Sequence, residues 1–140
     1  MKVAIIGYGF VGKSLINGLK DSVTVKKIDP KLGTNINELK DFLPEIIFIC
    51  VPTPMNNDKT QDISIVESVV DEINNLKINS LVVLKSTLVP NYVKDIENKL
   101  PRFIYNPEFL REKHSDEDFI NSEFIIFGGE REEAENLSKF

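Results

Sequence analysis

The sequence predicts an α/β fold: a parallel sheet of about six strands, doubly wound, with helices on both faces making three layers. Three observations carry that prediction. Apolar runs of strand length recur along the chain, stretches with helical spacing lie between them, and the strand runs are near-continuous in apolar character rather than alternating. Strand, helix, strand in that order is the signature of a parallel sheet joined by right-handed crossovers.

Taken in order, residues 3–6 (VAII) form a first strand, followed by a glycine-rich turn and a helix whose apolar positions Val11, Leu15 and Leu19 repeat every four residues. A second strand over residues 23–28 ends on Asp29, and only sixteen residues separate Asp29 from a third strand over residues 46–51. The polar residues 56–62 read as a loop. The spacing of Ile65, Val69 and Ile73 then predicts a helix, and residues 81–84, 103–105 and 124–127 predict three more strands, all short and rich in β-branched or aromatic side chains. The terminal EREEAENLSKF holds helix-forming residues with no glycine or proline stop, so the chain is expected to stop mid-architecture. No repeat, linker or low-complexity tract interrupts residues 1–140, which are expected to form one domain.

Composition narrows the partners. With 41% apolar and 28% charged residues the chain matches a soluble globular domain, and a formal charge of -5 offers no basic face to nucleic acid or an anionic membrane. A phosphate ligand must therefore be held locally, by backbone groups. The lone Cys50 cannot form an internal disulfide, and its apolar setting predicts a reduced, buried, structural thiol in a cytoplasmic protein. Neither a signal-peptide core nor a membrane-spanning run is expected. His114 lies among charged residues without a second ligand at suitable spacing, so no metal site is expected.

The segment VAIIGYGFVGKSL sets GxGxxG between a strand and a helix, which is the context that gives the motif meaning. Gly7 permits the tight turn, Gly9 lets the backbone approach a pyrophosphate and Gly12 lets the helix pack on the strand, with Tyr8, Phe10 and Val11 completing the cofactor loop. The helix N-terminus adds free N–H groups and a positive dipole end. Asp29, twenty residues after Gly9, stands where a carboxylate accepts the adenosine ribose hydroxyls. The expectation is a Rossmann domain binding NAD. Asp29 would repel the 2′-phosphate of NADP, although Lys26, Lys27 and Lys31 lie close enough to soften that repulsion.

Three later segments, VPTPMNNDKTQDISIVES, KSTLVP and NPEFLRE, together with GYGFVG, resemble the N-terminal half of the UDP-glucose/GDP-mannose 6-dehydrogenase family. Enzymes of that family oxidise the C6 alcohol of a nucleotide sugar to a carboxylate with two NAD, through an enzyme thiohemiacetal and thioester. The resemblance implies that Glu108 works with Thr87 to hold a water and manage protons, and that Glu112 lies near the nicotinamide. It further implies that Phe109 and Leu110 line the sugar, and that Val51, Pro52, Thr53, Ser86 and Thr87 contact the cofactor. A carboxylate in a partly dry cleft can be tuned to take the hydroxyl proton as hydride departs.

The chain also departs from the family. The nucleophilic cysteine, with its lysine and asparagine partners, belongs beyond this length, so the isolated chain is expected to be inactive unless a C-terminal domain joins it in cis or in trans. The alternative reading is a module that holds NAD or a sugar nucleotide without turnover. The short stretch after Asp29 predicts a pruned sheet edge and weaker NAD binding, while Lys113 and VPNYV stand where the family commonly has a glycine and a proline-glycine turn. Plain structural roles compete for single residues: Thr87 could cap a helix starting near Pro90, Asp62 one starting near Ile63, and Glu108 and Glu112 could share a solvated helix face.

Overall fold

The computed structural model describes residues 1–109, 111–114, 117–118, 121–122 and 124–139. Its elements are β1 (Lys2–Ile6), α1 (Phe10–Gly18), β2 (Thr24–Ile28), α2 (Leu39–Phe42), β3 (Ile46–Ile49), α3 (Ser64–Leu76), β4 (Leu81–Leu84), α4 (Pro90–Glu97), β5 (Phe103–Tyr105), β6 (Gly128–Gly129) and α5 (Arg131–Leu137). The sheet runs β2-β1-β3-β4-β5-β6, with the first five strands parallel. The chain steps from β1 out to β2 and then returns to lay β3 on the other side of β1. The C-terminal ends of β1 and β3 therefore flank the topological switch point where ligands of open α/β sheets bind.

Because successive side chains point to opposite faces, strands buried on both sides must be apolar throughout. Ala4, Ile6, Ile47, Ile49, Val82 and Leu84 face one layer, packed against Leu39 of α2, Val66, Val70 and Ile73 of α3, and Ile96 of α4. Val3, Ile5, Phe48, Val83 and Ile104 face the other, packed against Leu15 of α1 and Leu137 of α5. The buried stripe of α3 contains Val69 and Ile73 as the spacing predicts and adds Val66 and Val70, while Ile65 is exposed.

Between β2 and β3 the chain makes two short 3-10 turns, Pro30–Leu32 and Ile36–Glu38, before α2, with no further strand among the described residues. The stretch after Asp29 thus adds no strand, and β2 stands at the edge of the sheet.

The sixth strand differs from expectation in place and direction. Residues 124–127 do not join the sheet, and Phe124, Ile125 and Ile126 remain exposed. The pairing falls instead on Gly128 and Gly129, antiparallel to Tyr105 and Ile104. A Cβ on Gly129 would stand 2.8 Å from the Phe103 carbonyl oxygen, so the approach to β5 requires glycine where the apolar run would not fit.

Candidate functional site

The three motif glycines meet three different demands. Gly7 follows β1 with φ +93°, and a Cβ there would lie 2.6 Å from the carbonyl oxygen of Cys50, so the loop crosses the end of β3 in near contact. A Cβ on Gly12 would run into the Gly7 carbonyl and stand 3.2 Å from Ile5 Cγ2. Gly9 has ordinary dihedrals, and nothing within 4 Å would obstruct a side chain. Its lack of one leaves open space at the start of α1, whose first turn carries neither an acidic residue nor a side-chain cap. A helix N-terminus left in that condition is suited to an anion.

Asp29 braces the loop from β2. Its Oδ2 accepts the Tyr8 N–H at 2.7 Å and its Oδ1 the Lys31 N–H at 2.9 Å. Those backbone donors, Tyr8 first, hold its pKa below the usual carboxylate value, aided by the Lys31 charge and opposed by burial. A carboxylate offers about four lone-pair sites, so two donors leave capacity for ribose hydroxyls. Two of the three neighbouring lysines are engaged: Lys26 with Glu38 at 2.5 Å, and Lys27 over the Tyr8 ring with its Nζ 3.3 Å from the phenol oxygen. The residues present therefore fit a dinucleotide with an unmodified ribose.

Along the same edge, residues 51–53 and 86–89 lie side by side. Ser86 is buried and its hydroxyl donates to the Val51 carbonyl at 2.7 Å, which makes it part of the frame. Thr53 Oγ1 donates to the Thr87 carbonyl at 2.9 Å, and Gln61 Nε2 donates to the same oxygen at 2.8 Å. Thr87 itself is exposed and does not cap α4: the N-cap is Val89, with Pro90 in the first turn. Asp62 does serve the start of α3, accepting the Ser64 N–H at 2.9 Å. Pro52 is exposed at the rim.

After β5 comes Asn106, buried, with Pro107 and Glu108 half-buried and Phe109 exposed, its ring 5.8 Å from that of Phe124. Residues 106–109 are not helical, so Glu108 and Glu112 share no helix face. Glu112 opens a one-turn 3-10 helix, Glu112–His114, and Leu110 lies outside the described residues. A cavity of about 990 Å³ runs over the sheet between α1 and α5 and reaches Glu108 and Phe109, with Phe48 and Phe127 in its lining. The glycine loop and Asp29 are not among its lining residues.

Lys85 is a site feature that periodicity does not reveal. It is 5% exposed, and its Nζ donates to Asn106 Oδ1 at 3.0 Å while Asn106 Nδ2 donates to the Ile126 carbonyl at 2.9 Å. Burial pushes the Lys85 pKa down, with the charges of Cys50 and Glu108 pulling it back up. The available signal was a lysine directly after the buried run 81–84. Cys50 lies just past β3 rather than inside it, with its N–H on the Ile6 carbonyl at 2.7 Å. Burial pushes its thiol up to about 12, against the pull of Lys85, so it is no activated nucleophile.

Comparison with known proteins follows the same lines. The sequence profile of the UDP-glucose/GDP-mannose dehydrogenase family, NAD binding domain, matches residues 17–139, starting within α1. The chain is 39% identical over 108 residues to the UDP-glucose 6-dehydrogenase of Rickettsia bellii, which covers 71% of this chain and 24% of that protein. It is 27% identical to the UDP-glucose 6-dehydrogenase of Streptococcus pneumoniae over 168 residues, covering 96% of this chain and 43% of that protein. Among solved structures, GDP-mannose dehydrogenase from Pseudomonas aeruginosa has the same fold, with a TM-score of 0.77 at 20% identity, over 99% of this chain and 43% of that one. The chain thus spans about a quarter of the Rickettsia relative's length. With the profile matching nearly the whole chain, a glycine loop just ahead of the match and a carboxylate within it that braces that loop, the chain belongs to the UDP-glucose/GDP-mannose dehydrogenase family as its NAD-binding domain.

Proposed function

We propose that this chain is the cofactor half of a nucleotide-sugar 6-dehydrogenase, completed by a cysteine-bearing domain in cis or in trans. The open space at Gly9, in front of an uncapped helix start, carries the reading. The N–H groups of residues 9–12 hold the pyrophosphate, Asp29 accepts the ribose hydroxyls, and Val51, Pro52 and Thr53 wall the adenine side. Ser86, Thr87 and Glu112 serve the nicotinamide side, and Glu108, Phe109 and Leu110 the sugar. NAD, when bound, accepts the hydride from the sugar carbon. Glu108, directly or through a water held with Thr87, takes the hydroxyl proton that must leave at the same time. A single reduced thiol fits a cytoplasmic setting.

The inert thiol of Cys50 favours a second statement: alone, the chain binds without turning over. Fluorescence titration with NADH and NADPH, followed by an assay for NADH production from UDP-glucose and NAD, tests both. NADH should bind, more tightly than NADPH and more weakly than a sheet with its full outer edge would allow, and no NADH should form from UDP-glucose. A chain that binds no NADH would overturn the cofactor reading, and measurable turnover would overturn the need for a second half.

A further inference from the structure

We infer that Gln61 is a positioning residue of this site, its side-chain amide bracing the backbone of residues 87–89 so that Thr87 is presented to the bound dinucleotide in one arrangement. The inference rests on reading Thr87 as part of the cofactor site. Thr87 stands at the C-terminal edge of the sheet, in the turn between β4 and α4, and that turn is held from several directions. Ser86 Oγ donates to the Val51 carbonyl at 2.7 Å, and the Leu88 N–H donates to the Tyr105 hydroxyl at 3.1 Å. Both anchors lie beside Thr87 rather than on it.

Gln61 closes the gap. Its Nε2 donates to the Thr87 carbonyl at 2.8 Å, and its Oε1 accepts the Val89 N–H at 3.2 Å. One planar amide therefore grips the turn on both sides of Leu88, with donor and acceptor held at a fixed separation. The Thr87 carbonyl takes its second donor from Thr53 at 2.9 Å, which ties the brace to the turn after β3. Val89 is the N-cap of α4, and an N–H at that position has no intrahelical acceptor. Gln61 supplies one.

A brace is useful only if its own base is firm. Gln61 pairs with Met55 in an antiparallel bridge, and the Asp62 N–H donates to the Pro54 carbonyl at 2.8 Å. Within that loop Asn56 donates its N–H to the Thr60 carbonyl at 2.8 Å, and Asp58 Oδ1 accepts both the N–H and the hydroxyl of Thr60 at 3.0 and 2.6 Å. The polar stretch after β3 is thus a self-bonded strut whose end reaches the turn before α4. A site residue whose backbone is fixed in advance loses less freedom when ligand binds.

The test uses the 140-residue chain with NADH as probe and two variants, Gln61→Ala and Gln61→Glu, with hydrogen exchange of the Val89 amide read by NMR in parallel. Gln61→Ala removes both halves of the grip. It should speed Val89 exchange and weaken NADH binding by roughly three- to tenfold, in line with a modest net hydrogen-bond contribution. Gln61→Glu keeps an acceptor for Val89 but sets a carboxylate against the Thr87 carbonyl, so it should retain the protection and still weaken NADH. Unchanged Val89 exchange in Gln61→Ala would show that the brace does not exist in solution. Lost protection with NADH affinity within about twofold of wild type would show a merely structural contact. Failure of the wild-type chain to bind NADH would sink the cofactor reading itself, and this inference with it.

Discussion

Gly9 and Gly12 lie three residues apart in one loop, and substitution should separate their roles. Gly12→Ala drives a methyl group into the Gly7 carbonyl and against Ile5, and overpacking of that kind costs about 1–3 kcal/mol, which a urea titration would read. Gly9→Ala meets nothing in the protein, so stability should stay within about 0.5 kcal/mol of wild type. Its methyl group occupies the space assigned to pyrophosphate, and NADH affinity should fall by at least about tenfold. Undiminished NADH binding by Gly9→Ala would argue that the anion lies elsewhere. Such loop glycines were legible in the sequence because motif, strand and helix adjoin. Lys85 and Gln61 were not, because their partners are 21 and 26 residues away and no local period reports a long-range hydrogen bond.

Among elements, α5 joins a buried apolar contact to a forked ion pair. Leu137 is its buried residue, and Glu133 forks onto Arg102, with Oε1 2.5 Å from Nε and Oε2 2.9 Å from an Nη. The hydrogen bond from Arg102, then its charge, holds the Glu133 pKa below 4.5. A depressed carboxylate contributes stability above its unfolded pKa, and the contribution is lost as pH falls through the folded value. Glu133→Ala should therefore cost roughly 1 kcal/mol at neutral pH, for a partly exposed bidentate pair, and the gap between variant and wild type should narrow in acid. A gap that persists unchanged at pH 3 would assign the loss to packing. At this scale β1, β3, β4 and β5 followed from continuous apolar runs and β2 from an apolar pattern broken by Lys26 and Lys27, whereas β6 is two glycines whose role depends on how closely β5 approaches. No side chain was present to signal it.

For the molecule as a whole, the buried ammonium of Lys85 sets a pH dependence that its surroundings share. Its folded pKa lies below 10.5 because burial disfavours the charged form. The unfolded chain therefore binds more protons between the folded value and 10.5, and stability contributed by this group rises with pH across that window. Cys50 acts in the opposite sense, its thiol raised from 9.0 to about 12, so its contribution falls as pH climbs above 9.0. In paired urea titrations wild type should gain on Lys85→Met as pH rises toward 10.5, a window in which the folded Cys50 thiol stays protonated in both, and parallel curves would mean that the ammonium is solvated. The sheet order also has a consequence for which edge of the sheet is left without a neighbour. With no strand beyond β2 among the described residues, the sequence TVKKI forms a border whose backbone could template another strand. Lys26 and Lys27 occupy that border, and charged side chains on an edge strand disfavour the addition of a further strand, so Lys27, which reaches Tyr8 of the glycine loop, also stands on the exposed edge of the sheet.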